Sequence, residues 1–298
     1  MRAISLASGV ALSVESVAAR ALSVPLRVPF VIASGRVDAT RAAEVEATVS
    51  LGGLRATGIG EAACLPPVTR EDQADVLDAL GALGPFEATM RLDAGAEAIE
   101  ATSVKLGALG ALGPVARAGL ETAILDALAR MAGVPLWKHL ADTATGSDAA
   151  RPPVSTLETD VTIAIASAGE MAAQAAAWAM RGFRALKVKV GKDVDADAGA
   201  LLAVARAAPS SRLRVDANAG YRASEAIALA RECERLGLAV ECWEQPCAAD
   251  DLEGMAEVTA AVAAPVIADE SVKSVADVER IVRGRCARGV NLKLAKSG

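Results

Sequence analysis

The spacing of apolar residues predicts that the two halves of the chain have different architectures. In the first half, residues 44–51 and 54–59 are β-rich runs joined by two glycines, which is typical of a hairpin, and residues 13–26 predict an edge strand. Residues 114–131 have the pattern of a long amphipathic helix, and Thr69 is a candidate N-cap for an earlier helix. We therefore expect a small antiparallel sheet followed by helices over residues 1–140.

The second half alternates short buried runs with alanine-rich helical segments, after a linker-like stretch at 141–153. The candidate strands are 161–165, 185–190, 213–216, 240–244, 266–268 and 290–293. The candidate helices are 169–180, 195–208, 224–236, 251–263 and 275–283. Regular alternation of this kind predicts βα units and a parallel sheet, and its repeat fits a TIM-type barrel. No glycine-rich phosphate loop follows any candidate strand, which argues against a nucleotide-binding doubly wound fold.

Composition narrows the classes of function. The formal net charge is −6, from 31 Lys and Arg against 37 Asp and Glu, which argues against nucleic-acid and anionic-membrane partners. Aromatic residues make up only 2% of the chain, so stacking on bases is disfavoured. His139 is the only histidine and excludes a multi-histidine metal site. No apolar run is long enough for a membrane-spanning helix.

The number and spacing of the cysteines indicate the cellular compartment. There are five, an odd number, and none forms a Cys-x-x-Cys pair, which is typical of a reducing compartment. We therefore expect a cytoplasmic protein. The first twenty residues contain arginine, several serines and a single acid, so an organelle transit peptide is the alternative.

Charged or polar residues lie at the ends of the predicted strands of the second half or directly after them. They are Lys187 and Lys189, Asp216 and Asn218, Glu244, Asp269 and Glu270, and Lys293 and Lys296. The carboxyl ends of barrel strands meet at one mouth, so Asp216, Glu244 and Asp269 are expected to converge. Three ionised carboxylates sharing one site need a cation, and an all-oxygen ligand set favours Mg²⁺ first and Mn²⁺ second.

The lysines suggest acid–base chemistry. Lys187 and Lys189 are two residues apart on one strand, so both face the barrel lumen. Neighbouring ammonium groups and a metal ion should lower their pKa values, which would allow a lysine to act as a base near neutral pH. Lys293 belongs to the sixth predicted strand, across the barrel from the second. The sequence therefore predicts a proton acceptor on each side of a bound substrate.

Taken together, these motifs resemble the enolase superfamily. The matching stretches are GIGEAACLPPVT, GLETAILDALARMAGVPLW, TDVTIAI, GFRALKVKVGKD, RVDANAGY, WEQP, ADES and VNLKLAKSG. Within the superfamily the chain is similar to the muconate-lactonising (muconate cycloisomerase) subgroup and, inside it, to dipeptide epimerases of the L-Ala-D/L-Glu type. The resemblance implies an α/β chain in two domains, an α+β capping domain at 1–140 and a modified TIM-type (β/α)7β barrel at 141–298.

The resemblance also implies an activity and its residues. Asp216, Glu244 and Asp269 match the Mg²⁺ ligands, and Lys189 and Lys293 match two acid/base lysines on opposite faces of the substrate. Lys187 matches the lysine that supports Lys189 and the enolate. The implied enzyme is an isomerase, a racemase or epimerase of amino acid derivatives that uses 1,1-proton transfer through an enediolate.

Substrate recognition in this family comes from two capping-domain loops, which correspond here to residues 25–36 and 60–69. Arg36, in the first loop, is a candidate partner for a substrate carboxylate. Asn218 and Lys296 are further candidate substrate contacts. The substrate is expected to be a small molecule, a dipeptide or an N-acyl amino acid, and homo-oligomers are common in the family.

The chain ends at Gly298, just after the sixth predicted strand. The family continues for two more strands and includes an Asp-x-Asp motif that binds the substrate amino group. We therefore expect an incomplete barrel of about six strands. Alternative functions are o-succinylbenzoate synthase, N-acylamino-acid racemase, muconate cycloisomerase or a catalytically impaired fragment.

Overall fold

The computed structural model describes residues 10–32, 35–66, 68–90, 112–143 and 156–298. The chain divides into two compact units. The first comprises Met1–Pro25, Ala39–Thr156 and Lys293–Gly298, and the second comprises Leu26–Asp38 and Leu157–Leu292. The predicted boundary between residues 140 and 141 stays a prediction. Residues 141–143 of the predicted linker are helical, and the rest of it lies outside the described residues.

Within the described residues, the first half of the chain forms an antiparallel sheet and three helices. Its elements are β1 (Val10–Ile32), β2 (Gly35–Leu51), β3 (Leu54–Cys64), α1 (Gln73–Gly81), β4 (Phe86–Met90), α2 (Pro114–Ala132) and α3 (Leu136–Thr143). The strand order is β3-β2-β1-β4. The predicted hairpin is therefore confirmed as β2 and β3, which pair from Leu51 and Leu54 outward.

Three expectations for this half are corrected. The strand predicted at the edge of the sheet lies between β2 and β4, because β4, a short strand that the sequence did not reveal, pairs with its first residues. Helix α1 is capped by Asp72 rather than Thr69, since the Asp72 carboxylate accepts the N–H groups of Ala74 and Asp75. The predicted specificity loop at 25–36 is largely strand, with β1 reaching Ile32 and β2 beginning at Gly35.

Helix α2 packs on β3 through small residues. Gly58 and Gly60 of β3 face Ala123 and Gly119 of the helix, and the two backbones come into direct contact. A β-carbon added at Gly58 would lie 2.1 Å from the carbonyl oxygen of Ala123. The alanine and glycine content of these two elements therefore allows a closer approach than larger side chains would permit.

We expect Gly58→Ala to lower the free energy of unfolding of the first unit by about 3 kcal/mol, because the new methyl group meets helix backbone that cannot rotate away. Urea unfolding followed by circular dichroism measures this change. The matched control is Gly81→Ala at the end of α1, where an added β-carbon meets nothing within 4 Å. Equal stability of the two variants would contradict the close packing.

The second half forms a parallel sheet with helices between its strands. Its elements are β5 (Val161–Ile163), α4 (Ala168–Met180), β6 (Ala185–Lys189), α5 (Val194–Ala207), β7 (Arg212–Asp216), α6 (Ala223–Arg235), β8 (Val240–Glu244), α7 (Leu252–Ala261), β9 (Val266–Ala268), α8 (Val275–Gly284), β10 (Gly289–Val290) and α9 (Leu294–Ser297). The sheet order β10-β9-β8-β7-β6-β5 follows the chain, and every adjacent pair is parallel. The predicted fold class, an antiparallel capping sheet followed by about six strands of a parallel α/β barrel, is confirmed.

The strand register aligns the charged strand ends. Lys189 is the register partner of Asp216 on the next strand, and Asp216 is in turn the partner of Glu244. Neighbouring strands lie about 4.8 Å apart, so the side chains of paired residues are close together. The sheet itself therefore brings a lysine and two carboxylates side by side.

None of the helices in the described ranges combines the length and the apolar character needed to cross a bilayer.

Candidate active site

Two lysines and two carboxylates form a buried ionic cluster at the carboxyl ends of β6, β7 and β8. Lys189 Nζ donates to Asp216 Oδ2 at 2.7 Å, and Lys187 Nζ lies 2.9 Å from the same oxygen. Lys187 Nζ also lies 2.7 Å from Glu244 Oε2. Asp216 is fully buried, and Lys189 and Glu244 are 7% and 8% exposed. The structure thus brings together four of the residues that the sequence predicted to share a site.

The electrostatics of the cluster differ from the expectation for Lys187. Burial alone lowers the pKa of Lys187, but the charges of Asp216 and Glu244 and the hydrogen bonds to them outweigh it, so the net pKa lies above the usual value. The expected depression was wrong for this lysine because two carboxylates at hydrogen-bonding distance outweigh a neighbouring ammonium group.

The pKa values of the two carboxylates in the cluster, Asp216 and Glu244, are shifted in opposite directions. Burial raises the pKa of Asp216, but the charges of Lys189 and Lys187 outweigh burial and hold the pKa below its usual value. Burial raises the pKa of Glu244, the nearby charge of Asp216 raises it further, and Lys187 only partly compensates. Glu244 is therefore the carboxylate whose charge is less well balanced by its surroundings.

Asp269, the third predicted ligand, follows β9 and is fully buried. Its backbone N–H donates to Gln245 Oε1 at 2.8 Å. Gln245 is itself fully buried, and its Nε2 donates to Ser271 Oγ at 2.7 Å and to the Cys247 carbonyl oxygen at 2.9 Å. The Gln245 side chain thus ties the loop after β8 to the loop after β9.

Asn218 and Glu270 form a second polar pair next to the predicted ligands. Asn218 Nδ2 donates to Glu270 Oε1 at 3.0 Å, and the Asn218 backbone N–H donates to Asp216 Oδ1 at 3.0 Å. Asn218 Oδ1 and Glu270 Oε2 are buried, and neither has a hydrogen-bond partner. Burial first, and then the charge of Asp269, raises the pKa of Glu270. Two acceptor oxygens are therefore unsatisfied here.

The backbone is strained beside these residues. Asn218, Ala219 and Gln245 have positive φ angles of 44°, 63° and 36°. Non-glycine residues seldom adopt this region, and its cost is typically of order 1–3 kcal/mol per residue. Such strain is common where the surroundings hold a functional loop in one conformation.

The donor chemistry of this region fits a divalent cation. Four carboxylates lie at these strand ends, those of Asp216, Glu244, Asp269 and Glu270, and the ammonium groups of Lys187 and Lys189 pair with the first two. The number of carboxylates and the unsatisfied oxygens suit a hard cation with oxygen ligands. The described residues nevertheless contain no group of three acidic, histidine or cysteine side chains already arranged around one point. Asp216 and Glu244 instead share the Lys187 ammonium group.

Three other predicted residues belong to other elements of the chain. Lys293 is the N-cap of α9, and Lys296, 5% exposed, lies within that helix; both belong to the first unit. Arg36 belongs to the second unit, where its exposed side chain pairs with Asp38, with Nη2 2.9 Å from Oδ1. The roles of these three residues stay predictions.

Sequence reasoning missed two participants and gave a third no role. Gln245 joins two loops, and Asn291 Nδ2 donates to Glu244 Oε1 at 2.8 Å. Glu270, predicted only as a charged residue at a strand end, carries an unsatisfied oxygen. Gln245 and Asn291 lie within the E-Q-P and N-x-K-L-x-K motifs. Their proximity to charged strand ends was the available signal, but their partners come from other strands.

Comparisons with known proteins place the chain in a family. Residues 14–141 match the sequence model described as mandelate racemase / muconate lactonizing enzyme, N-terminal domain. Residues 170–298 match the model described as enolase C-terminal domain-like. Relatives include the L-Ala-D/L-amino acid epimerase of Populus trichocarpa, 35% identical over 97% of this chain and 66% of that protein. The aromatic dipeptide epimerase of Herpetosiphon aurantiacus is 35% identical over 96% of this chain and 76% of that protein.

Solved structures agree with this placement. The L-Ala-D/L-Glu epimerase from Bacillus subtilis, in a substrate-liganded complex, matches with a TM-score of 0.81 and 31% identity over 95% of this chain and 75% of that one. The dipeptide epimerase from Enterococcus faecalis, complexed with Mg and L-Leu-L-Tyr, matches with a TM-score of 0.79 and 27% identity over 96% of this chain and 76% of that one. This chain spans only part of the length of each.

The named relatives are epimerases, isomerases that act on amino acid derivatives. Both halves of the chain match the family's two domain models, and the fold and sequence agree with its solved members. The chain therefore belongs to the mandelate racemase / muconate lactonizing enzyme family of the enolase superfamily.

Proposed function

We propose that this protein is a Mg²⁺-dependent dipeptide epimerase of the L-Ala-D/L-Glu type that works by 1,1-proton transfer. The observation that carries the proposal is the buried cluster of Lys187, Lys189, Asp216 and Glu244, which combines an acid–base group with ligands for a cation. The relatives that are named dipeptide epimerases, from several organisms, support a dipeptide as the substrate.

Asp216, Glu244 and Asp269 are the residues that would hold the metal ion. When bound, Mg²⁺ supplies Lewis-acid stabilisation of the negative charge that develops on the substrate carboxylate. Each of these residues lies at or just after a strand end and is at least nine-tenths buried. Burial strengthens their interaction with a cation because little water screens the charges.

Lys189 is the proposed base on one face of the substrate. Its unprotonated amine removes the α-proton of the residue to be inverted, which leaves an enediolate form of the substrate. Lys189 is 7% exposed, so little water competes with the substrate for its amine. Lys293, assigned through its match to the family motif, returns a proton to the opposite face.

Lys187 is proposed to stabilise negative charge rather than to move a proton. Its Nζ bridges Asp216 and Glu244, so it already serves as a fixed positive group between two carboxylates. A positive charge held in place before the reaction stabilises a developing anion without the cost of reorganisation. This role would be lost on replacement by methionine, which keeps the length of the side chain and removes its charge.

The function is tested by proton NMR of the purified protein with Mg²⁺ and L-Ala-L-Glu in D₂O. We expect the glutamate α-proton signal to disappear and the signals of the L-Ala-D-Glu diastereomer to appear. The same mixture with excess EDTA is the control and should show neither change. A chain that is folded by circular dichroism, yet exchanges no α-proton in a panel of dipeptides and N-acyl amino acids, would contradict the proposal.

A further inference from the structure

The loop that follows β6 is held by a single carboxylate. The backbone N–H groups of Gly191, Lys192 and Asp193 all donate to Asp197 Oδ2, at 3.0, 3.0 and 3.1 Å. Asp197 lies in the first turn of α5 and is 6% exposed. Successive N–H groups that point to one place form an anion-binding concavity, and here the chain fills it with its own side chain.

The only tyrosine of the chain, Tyr221, joins this arrangement. Tyr221 Oη donates to Asp197 Oδ2 and accepts the Gly191 N–H at 3.1 Å. Tyr221 is 7% exposed and lies in the loop after β7, and its backbone N–H donates to the Pro246 carbonyl oxygen in the loop after β8. One residue, through its side chain and its backbone, therefore links the three loops that follow the strands bearing Lys189, Asp216 and Glu244.

The loops after β6 and β7 also touch directly. A β-carbon added at Gly220 would lie 2.5 Å from the Gly191 carbonyl oxygen. The Val190 N–H, one residue after Lys189, donates to the Asp216 carbonyl oxygen at 3.0 Å. The Gly191 loop thus begins two residues after the proposed base and lies against the loop after β7.

We propose that Asp197 and Tyr221 are a positioning pair that fixes the loop after β6 and so sets the place of the Lys189 amine. The inference rests on the proposed function, in which Lys189 moves the α-proton. Both side chains form their hydrogen bonds with the loop and with each other. Any effect of the pair on the reaction must therefore come through the position of Lys189, which precedes this loop. A misplacement of about 1 Å in a reacting group can cost about 100-fold in rate.

The kinetic test compares Asp197→Asn and Tyr221→Phe with the wild type in the epimerisation assay. We expect kcat to fall by about 10- to 100-fold and KM to stay within about 3-fold, because the pair aligns the base and leaves substrate contacts in place. Tyr221→Phe keeps the ring packed, so it remains informative if Asp197→Asn folds poorly. Asp195→Asn is the matched control, because it removes the same charge from the same helical turn at an exposed position.

Hydrogen exchange tests the pair without substrate. We expect the amides of Gly191, Lys192 and Asp193 to exchange faster in both variants than in the wild type and in Asp195→Asn. Because the chain has one tyrosine, ultraviolet titration reports Tyr221 alone. Burial raises the pKa of Tyr221, and the hydrogen bond to Asp197 and the charge of Asp197 raise it further. Tyr221 should therefore ionise at a lower pH in the Asp197→Asn variant than in the wild type.

The outcomes separate this inference from the proposed function. Faster loop exchange with an unchanged kcat would mean that the pair is structural only, and unchanged exchange would mean that it does not hold the loop; either result overturns the inference. If the wild type epimerises no dipeptide, the proposed function fails and the positioning role with it. The exchange and titration data would still establish whether Asp197 and Tyr221 restrain the loop.

Discussion

Replacing Lys189 with alanine is expected to lower kcat for epimerisation by about 1000-fold and to leave Mg²⁺ binding intact. General acid–base catalysis by one side chain contributes typically 10²–10⁴-fold. Lys189 Nζ lies 2.7 Å from Asp216 Oδ2, so its removal takes away a competitor for a proposed metal ligand. Titration calorimetry should therefore show Mg²⁺ affinity that is unchanged or tighter.

The variant Lys293→Ala tests the second proposed acid–base residue. If the two lysines act on opposite faces of the substrate, each single variant should lose epimerisation but still exchange the α-proton of one diastereomer with D₂O. The two variants should exchange opposite diastereomers. Lys192→Ala, at an exposed position in the loop after β6, is the control and should keep wild-type turnover. Near-normal epimerisation by Lys189→Ala or Lys293→Ala would show that the two-base assignment is wrong.

Replacing Glu244 with glutamine is expected to weaken Mg²⁺ binding by about 10- to 100-fold, because it removes one of the ligand charges that set cation affinity and keeps the shape of the side chain. Burial and the charge of Asp216 already raise the pKa of Glu244, whereas the pKa of Asp216 is lowered, so Glu244 gains more than Asp216 from a nearby cation. Titration calorimetry of the purified variant with MgCl₂ measures the change.

Glu241→Gln is the matched control for this measurement. It makes the same change on the same strand, but Glu241 pairs with Arg214, with its Oε2 2.7 Å from Arg214 Nε. Its Mg²⁺ affinity should equal that of the wild type. Equal affinity of Glu244→Gln and the wild type would remove Glu244 from the proposed ligand set.

The fold and the cluster could be predicted because they follow from local rules. Parallel strands are buried on both faces, so a charge at a strand end is conspicuous in the sequence. Lys187, Lys189, Asp216 and Glu244 stand out in this way, and the structure places them in contact. The same rule identified Asp269 at the end of β9.

Other features depend on partners that are distant in sequence. Nothing near Gln245 indicates that its amide binds Asp269 N–H and Ser271 Oγ in the following loop. The pKa of Lys187 was predicted in the wrong direction because its sign depends on two carboxylates from other strands. The N-cap at Asp72 rather than Thr69 was decided by which side chain reaches the free N–H groups of α1, and both residues suit that position.

The register of β6, β7 and β8 has a consequence for how the protein gains activity when it folds. Lys189, Asp216 and Glu244 are cross-strand partners, so a slip of one residue in either pairing would turn a side chain to the opposite face of the sheet. A sheet with the wrong register would therefore have no active site, not a weakened one. Specific activity should therefore be proportional to the fraction of molecules with native strand pairing. In refolding experiments, turnover should return only as native strand pairing is completed.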